Sequence, residues 1–190
     1  MKDALVIIDM LNDFVRPGAP LEVPKNREIV PNIQRRIEVA RSRQTPVIYV
    51  CDAHQPDDPE FSRMGWPPHG VRGTHGARVI TELQPGETDP IIEKETYSAF
   101  VHTGLDGVLQ ALNVDRLILT GCVTNICIVF TAYEAVIRGY EVVVPVDCIA
   151  EIDPEDGKFA VKQMRDVLGV VIEPATGGAM ASPDAAEAGQ

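Results

Sequence analysis

The sequence predicts a single three-layer α/β/α domain around a mostly parallel sheet of about six strands. Short apolar runs alternate along the chain with longer amphipathic stretches, which is the pattern of strands joined by helical crossovers. The apolar runs are continuous, as is typical of strands that are buried on both faces of a sheet. The chain has 190 residues, 45% of them hydrophobic, which is enough for one domain with a sizeable core.

The predicted strands are short runs of residues that favour β-structure, and turn-forming residues separate them. In chain order they are Ala4–Asp9, Pro46–Cys51, Ile91–Lys94, Arg116–Gly121, Glu141–Asp147 and Val170–Ile172. Each is long enough for a strand and too short for a helix of ordinary length, so the runs favour a sheet.

The predicted helices are Arg27–Arg43, Leu105–Asn113, Thr124–Arg138 and Pro154–Leu168. In the first of these, apolar residues recur at helical spacing from Ile29 to Ala40. Gly139 is a stop signal for the third helix, and Asp153 is an N-cap candidate for the fourth, with proline at the first helical position. These signals place a helix between most pairs of successive strands.

Two segments differ from this alternation. Asp52–Gln84 is rich in loop-forming residues, holds three of the four histidines and is long for a connection, which indicates a functional loop. Residues 175–190 are mostly small, and we expect a flexible tail there without a function. The expected domain is therefore 1–174.

The charge restricts the choice of partner. Lys and Arg number 17 against 28 Asp and Glu, so the net charge is −11, which argues against nucleic acid and anionic membranes. The N-terminus does not resemble a signal peptide, and no apolar run approaches the roughly 20 residues of a membrane span. Four cysteines without disulfide or zinc-site spacing favour a cytoplasmic protein with free thiols. Neither a G-x-G-x-x-G motif nor a P-loop is present, so a nucleotide cofactor is not supported.

Polar residues follow the predicted strands. In an open parallel sheet, ligands bind at the carboxyl ends of the strands, so these side chains should converge on one edge. The residues in question are Asp9, Asp52, His54, Lys94, Cys127 and Asp147.

Three of these residues together suggest nucleophilic catalysis. Cys127 falls in the first turn of a predicted helix, where the N-terminal potential would lower a thiol pKa and free N–H groups could hold an oxyanion. Alone it could equally be a buried apolar cysteine. Asp9 is a candidate general base, with Asp13 as a rival, or else a carboxylate that caps a turn. Lys94 would stabilise both the thiolate and the carboxylate, unless it is a solvated surface lysine.

A second group has the composition of a metal site. Asp52 and His54 are separated by one residue, so they point to the same side of extended backbone, and His69 follows in the loop. Two imidazoles and a carboxylate suit zinc, iron or manganese. The plainer alternative is that these histidines only form hydrogen bonds within the loop.

Several motifs together resemble a known family. They are DMLNDF at Asp9, FVRPGAPLEVP, the D-x-H at Asp52, WPPHGVRGTHGA at Trp66, Lys94 with Tyr97-Ser98-Ala99-Phe100, and GCVTNIC ending at Cys127. In this order the chain resembles the isochorismatase-like cysteine hydrolases through its sixth strand, and within them it looks most like the nicotinamidases, also called pyrazinamidases. The resemblance implies a Rossmann-like α/β enzyme that deamidates nicotinamide to nicotinic acid and ammonia through a cysteine thioester.

The resemblance also assigns roles. Asp9, Lys94 and Cys127 would be the catalytic triad. A non-proline cis peptide bond would join Cys122 to Val123, and the N–H groups of Val123 and Cys127 would form the oxyanion hole.

Further roles concern the metal and the substrate. Asp52, His54 and His69 would bind a divalent metal, with zinc favoured over iron or manganese, and Glu60 is a candidate fourth ligand. Phe14, Trp66 and Val123 would contact the small-molecule amide. The resemblance further implies a homo-oligomer.

One alternative within the family stays open. Cys122-Val123 stands where nicotinamidases commonly have Val-Ala, and Tyr97 follows Lys94 at a spacing that metal-free relatives share. The alternative is a metal-independent amidase that acts on a carbamoyl group or a small aliphatic amide.

Overall fold

The computed structural model describes residues 1–175, so the expected tail lies almost wholly outside the described residues. The helices are α1 (Asn12–Val15), α2 (Asn26–Ser42), α3 (Pro59–Met64), α4 (Leu105–Ala111), α5 (Val129–Ile137) and α6 (Pro154–Asp166). The strands are β1 (Asp3–Ile8), β2 (Val47–Asp52), β3 (Ile91–Lys94), β4 (Arg116–Cys122), β5 (Glu141–Pro145), β6 (Ile149–Ala150) and β7 (Val171–Glu173).

The strands form one sheet in the order β3-β2-β1-β4-β5-β7, and the short β6 pairs with the end of β4. Each pairing is parallel. From β1 the chain first builds outward to β2 and β3, then returns to place β4 on the other side of β1. This reversal leaves a crevice at the carboxyl ends of β1 and β4, which is the usual ligand site in such sheets.

The sheet is covered on both faces. Along β1, Val6 and Ile8 pack into one apolar core beneath α4, α5 and α6, whereas Leu5 and Ile7 face a second core beneath α2. Successive side chains of a strand point to opposite faces, so a strand between two helical layers must be apolar throughout. This burial on both faces is the physical reason for the continuous apolar runs of the sequence.

The predicted three-layer fold is confirmed, and the differences are local. The sheet has seven strands instead of about six, because the predicted strand Glu141–Asp147 ends at Pro145 and a 3₁₀ turn (Val146–Cys148) leads into β6. The predicted helix Thr124–Arg138 begins as a π-helical turn, Thr124–Ile128, and continues as α5. The expected N-cap, Asp153, accepts hydrogen bonds from the first turn of α6.

Gly121 lets β4 pass close to β1. Its φ is +109°, and a Cβ atom at this position would overlap the carbonyl oxygen of Ile8. Glycine is the residue that tolerates both conditions. Among residues 1–175, no helix has the length and hydrophobicity needed to cross a membrane. All four cysteines are free, as predicted.

Candidate active site

Asp9 leaves the end of β1 in an unusual backbone conformation. Its φ is +54°, a left-handed value that residues other than glycine rarely adopt and that tends to mark functional sites. The side chain is almost fully buried, and its Oδ1 accepts a hydrogen bond of 2.9 Å from the backbone N–H of Asp52. The turn therefore aims a carboxylate into the crevice between β1 and β4.

Lys94, the last residue of β3, contacts the other two members of the predicted triad. Its Nζ lies 2.8 Å from Oδ2 of Asp9 and donates to Sγ of Cys127 at 3.4 Å. It also forms a hydrogen-bonded ion pair with Asp52. The ammonium is 0% exposed, so it is no solvated surface lysine. Three residues that are distant in the sequence thus meet at one buried cation.

Burial and charge together set the protonation of this group. Burial, together with the nearby Asp52 carboxylate, raises the pKa of Asp9 to about 6, although Lys94 acts in the opposite direction. Such a value suits a group that accepts and returns a proton near neutral pH. Burial alone would lower the pKa of Lys94, but the two carboxylates raise it well above its ordinary value. Lys94 is therefore a permanent cation.

The prediction that a helix N-terminus lowers the pKa of Cys127 is wrong. Burial of the thiol raises its pKa well above the ordinary value, and the nearby Lys94 opposes that effect only in part. The local structure is a π-helical turn of five residues instead of the start of a long α-helix. The resting thiol is therefore protonated, and a base must remove its proton before it can attack.

The backbone before Cys127 has the unusual bond that the resemblance implies. The peptide bond between Cys122 and Val123 is cis. The carbonyl of Val123 accepts hydrogen bonds from the N–H groups of Ile126 (3.0 Å) and Ile128 (3.3 Å), which wraps the π-helical turn around the nucleophile. Val123 and Cys127 both line the adjacent cavity, and the assignment of their N–H groups to an oxyanion hole stays a prediction.

The predicted metal ligands also come together. Asp52, His54 and His69 each place one ligand atom within 4.8 Å of the others, and all three are buried. Nε2 of His54 lies 3.7 Å from Oδ2 of Asp52. Nδ1 of His69 lies 2.8 Å from the carbonyl oxygen of Pro67, to which it can donate its proton. Nδ1 of His54 is likewise held, by Oδ2 of Asp58. In each histidine the other nitrogen is left for a metal, which is the usual arrangement around metal-binding histidines.

The charge of this trio depends on its neighbours. Burial raises the pKa of Asp52, but Lys94 and His54 outweigh it and bring the pKa to about 2. Burial lowers the pKa of His54, but Asp52 and Asp58 outweigh it and raise the pKa to about 9. Burial lowers the pKa of His69. The donor set, one carboxylate with two imidazoles, fits zinc, iron or manganese.

Glu60 lies near this trio without belonging to it. Its carboxylate is buried and lines the same cavity, and burial raises its pKa. Its Oε2 is 3.6 Å from the Arg63 guanidinium. Because Glu60 is outside the group whose ligand atoms lie within 4.8 Å of one another, its assignment as a fourth ligand stays a prediction.

One cavity of about 440 Å³, counted with its mouth, is lined by two members of the triad, two members of the metal trio and the predicted substrate contacts. Phe14 and Trp66 supply aromatic walls. Their ring centroids lie 5.5 Å (Phe14) and 5.8 Å (Trp66) from that of His69. The predicted contacts Phe14, Trp66 and Val123 all line it, together with Asp9, Asp52, His69 and Cys127. The cavity therefore brings aromatic side chains and the thiol of Cys127 together.

Two of the sequence candidates have other roles. The Asp13 carboxylate accepts a hydrogen bond of 2.9 Å from the N–H of Gly70 and lies against Gly76, so it fastens the loop that carries His69. Asp147 lies in the 3₁₀ turn after β5, outside the cavity wall, and its carbonyl oxygen accepts from Asn32. The expected convergence therefore holds for five of the six strand-end residues.

Several residues of the site were not predicted from the sequence. Leu21, Val23, Tyr97, Cys122, Ile126 and Ile152 also line the cavity. All but Ile152 stand in the motifs quoted above, but those motifs gave them no role in the cavity, so only the three-dimensional arrangement identifies them. Phe61 packs against both metal-site histidines, with ring separations of 5.4 Å and 5.1 Å. It lies on α3, within a segment that the sequence predicted to be loop.

Comparison with known proteins gives consistent similarities. The isochorismatase domain family matches residues 3–176. The uncharacterized isochorismatase family protein YaaI of Bacillus subtilis is 34% identical over 165 residues, which cover 87% of this chain and 90% of that protein.

Two solved structures have the same fold. N-carbamoylsarcosine amidase from Thermoplasma acidophilum superposes with a TM-score of 0.83 at 36% identity, over 92% of this chain and 97% of that one. Pyrazinamidase of Pyrococcus horikoshii, solved in complex with zinc, gives a TM-score of 0.85 at 31% identity, over 92% and 99% of the two chains. The similarity thus extends to amidases of two substrate classes.

Proposed function

The chain belongs to the isochorismatase family, and we propose that it is an amidohydrolase that converts nicotinamide to nicotinic acid and ammonia. One observation carries this proposal: a single cavity is lined by the Cys127 thiol, by the aromatic rings of Phe14 and Trp66, and by two members of the metal trio, Asp52 and His69. Nicotinamide is a flat aromatic amide with a ring nitrogen. Hydrolysis of the amide requires a nucleophile. Binding of the ring requires aromatic side chains on either side of it, and the ring nitrogen requires a Lewis acid.

The three metal-site residues would hold a divalent ion, zinc by preference. Asp52 would bind through Oδ2, because its Oδ1 is engaged by Lys94, and the two histidines would bind through the nitrogens that their hydrogen bonds leave free. When bound, the ion would act as a Lewis acid toward the ring nitrogen and thereby orient the substrate. This role predicts a larger effect of the ion on substrate binding than on bond cleavage.

The chemical step begins at Cys127. Asp9 takes the thiol proton, and Lys94 stabilises the resulting thiolate through its contact with Sγ. The thiolate attacks the carbonyl carbon of the amide. In our proposal, the N–H groups of Val123 and Cys127 stabilise the oxyanion, and one such donor is typically worth about 2.7–4 kcal/mol. Asp9 then returns the proton to the amide nitrogen, the C–N bond breaks, and ammonia leaves.

A thioester between Cys127 and the acyl group remains. Asp9, again a carboxylate, removes a proton from a water molecule that attacks this carbonyl carbon. The C–S bond breaks, the proton returns to the sulfur, and the carboxylic acid is released. Lys94 remains charged throughout and balances the negative charge that moves between the Asp9 carboxylate and Sγ.

A second candidate is an amidase that acts on a carbamoyl group or a small aliphatic amide without a metal. The 36% identity to an N-carbamoylsarcosine amidase structure favours it. It uses the same three catalytic residues, so the two candidates differ only in what the metal trio and the aromatic walls do. Under this alternative, added zinc would leave substrate binding by the wild type unchanged.

The deciding experiment measures ammonia release from nicotinamide by the zinc-loaded protein. Cys127→Ala should abolish the release, and Cys148→Ala, which removes another buried thiol, should retain it. Ammonia release by Cys127→Ala would contradict the nucleophile assignment. Absence of release by the zinc-loaded wild type, with turnover of N-carbamoyl amino acids or aliphatic amides in its place, would establish the second candidate.

A further inference from the structure

Asp58 lies beside the metal trio and uses its two carboxylate oxygens for different purposes. Oδ1 accepts a hydrogen bond of 2.8 Å from the backbone N–H of Glu60, which caps the N-terminus of α3. Oδ2 lies 3.0 Å from Nδ1 of His54. The side chain is only 16% exposed, so solvent competes little for either oxygen.

The second of these bonds determines which nitrogen of His54 can bind a metal. A carboxylate can only accept, so Nδ1 must carry the proton that it shares with Asp58. Nε2, which faces Asp52, is then the nitrogen that can present a lone pair. A carboxylate behind a metal-binding histidine fixes the tautomer and the ring orientation and makes the ring nitrogen a better donor.

The first bond fixes the position of Asp58 itself. Asp58 precedes Pro59 at the start of α3, and the helix carries Phe61, whose ring packs on both His54 and His69. Thus one residue connects the start of α3 to His54, and α3 in turn supports both histidine rings.

From this arrangement we infer that Asp58 is a positioning residue of the metal site, which orients His54 and makes it a metal ligand. The inference rests on the metal-binding part of the proposed function but not on the identity of the amide. On this inference, α3 holds the two histidines in position already in the metal-free protein.

The test separates the two roles of Asp58 by substitution. Serine is as good an N-cap as aspartate, but its single short oxygen cannot serve the helix and His54 together. Asp58→Ser should therefore keep the unfolding midpoint of the metal-free protein while it lowers the affinity for zinc by roughly 10- to 100-fold. The affinity is measured by competition with a chromophoric chelator, and the absorption spectrum of bound cobalt reports the ligand geometry.

Two matched variants serve as controls. Asp153→Ser changes another aspartate N-cap that also precedes a proline, on α6, and should leave zinc affinity unchanged. Asp57→Ser removes the same charge from an exposed neighbouring position and should have little effect. If Asp58→Ser folds poorly, Asp58→Asn tests the same point, because its amide offers one acceptor where two are required.

The outcomes distinguish this inference from the proposed function. Wild-type zinc affinity in both Asp58 variants would overturn the inference. Absence of zinc binding by the wild type would overturn the inference and the metal role together. A wild type that binds zinc, loses affinity in Asp58→Ser and does not act on nicotinamide would overturn only the proposed substrate.

Discussion

Lys94 places one ammonium between two buried carboxylates and a thiol. Its contacts with Asp9 and Asp52 compensate for the loss of hydration of all three groups, a cost of several kcal/mol per ion when it is left unpaired. The same contacts hold Asp9 near the sulfur while allowing its pKa to rise to about 6. At this scale, burial and one shared cation produce both the base and the stabilised nucleophile.

Two aspartates that follow β1, Asp9 and Asp13, can be separated by their predicted roles. Asp9→Asn should lower kcat for amide hydrolysis by roughly 100- to 10,000-fold, the usual contribution of a general base. Asp13→Asn should change kcat only a few-fold, because its amide oxygen can still accept from the N–H of Gly70. Ammonia release at saturating substrate gives both values. A large loss in Asp13→Asn together with an active Asp9→Asn would reverse the assignment.

At the scale of elements, the parallel pairing of β1 with β4 sets the position of the site. The two strands are paired from Asp3–Arg116 to Ile8–Gly121, so Asp9 and the Cys122–Val123 bond leave the sheet side by side. The register thereby places the general base and the turn around the nucleophile within reach of each other. The long connection between β2 and β3 then covers the crevice with the metal trio.

This close approach predicts a contrast between two glycines. Gly121→Ala should destabilise the protein by roughly 2–6 kcal/mol, because the new Cβ meets the Ile8 carbonyl and the φ of +109° is strained for alanine. Gly107→Ala, inside α4 with open space around it, should stabilise by about 0.5–1 kcal/mol. Urea unfolding measures both. Similar free energies of unfolding for the two variants would contradict the close packing of β1 against β4.

At the scale of the whole molecule, the metal trio ties separate parts of the fold together. Asp52 ends β2, and His69 comes from the loop that Asp13 fastens to α1. A ligand that binds only the native state adds stability according to its free concentration, about 2.7 kcal/mol at 100 times Kd.

Metal removal should therefore lower the melting temperature. For a chain of this size, 1 kcal/mol corresponds to about 2–4 °C, so chelation should lower Tm by roughly 5–10 °C relative to protein with excess zinc. Asp52→Ala should melt at the same temperature with and without zinc. Calorimetry with and without chelator checks both values, and a wild-type Tm that does not respond to zinc would argue against the site.

Other properties of the whole chain remain predictions from its sequence. The net charge of −11 should prevent binding to nucleic acid and anionic vesicles, and the homo-oligomer that the resemblance implies awaits sedimentation analysis. Large apolar side chains are exposed on α5 and α6, including Phe130 and Phe159.

The sequence by itself determined the fold class and the order of the main strands along the chain, and it predicted which residues to consider for the triad and the metal trio. It could do so because burial on two faces requires continuous apolar strands, and because chemistry at the carboxyl edge requires particular side chains at strand ends. The resemblance to a known family added the roles that single residues could not show.

Only the tertiary structure decided how these residues act on one another. The pKa of Cys127 depends on burial by surrounding segments, and local helix position alone predicted its direction wrongly. In the sequence Asp13 is a rival of Asp9 for the role of base, and only the approach of Gly70 and Gly76 shows that Asp13 fastens the loop. The role of Asp58 depends on a histidine that is four residues away in sequence but held at 3.0 Å by the start of α3. Such effects arise from distances between segments, which residue spacing along the chain does not specify.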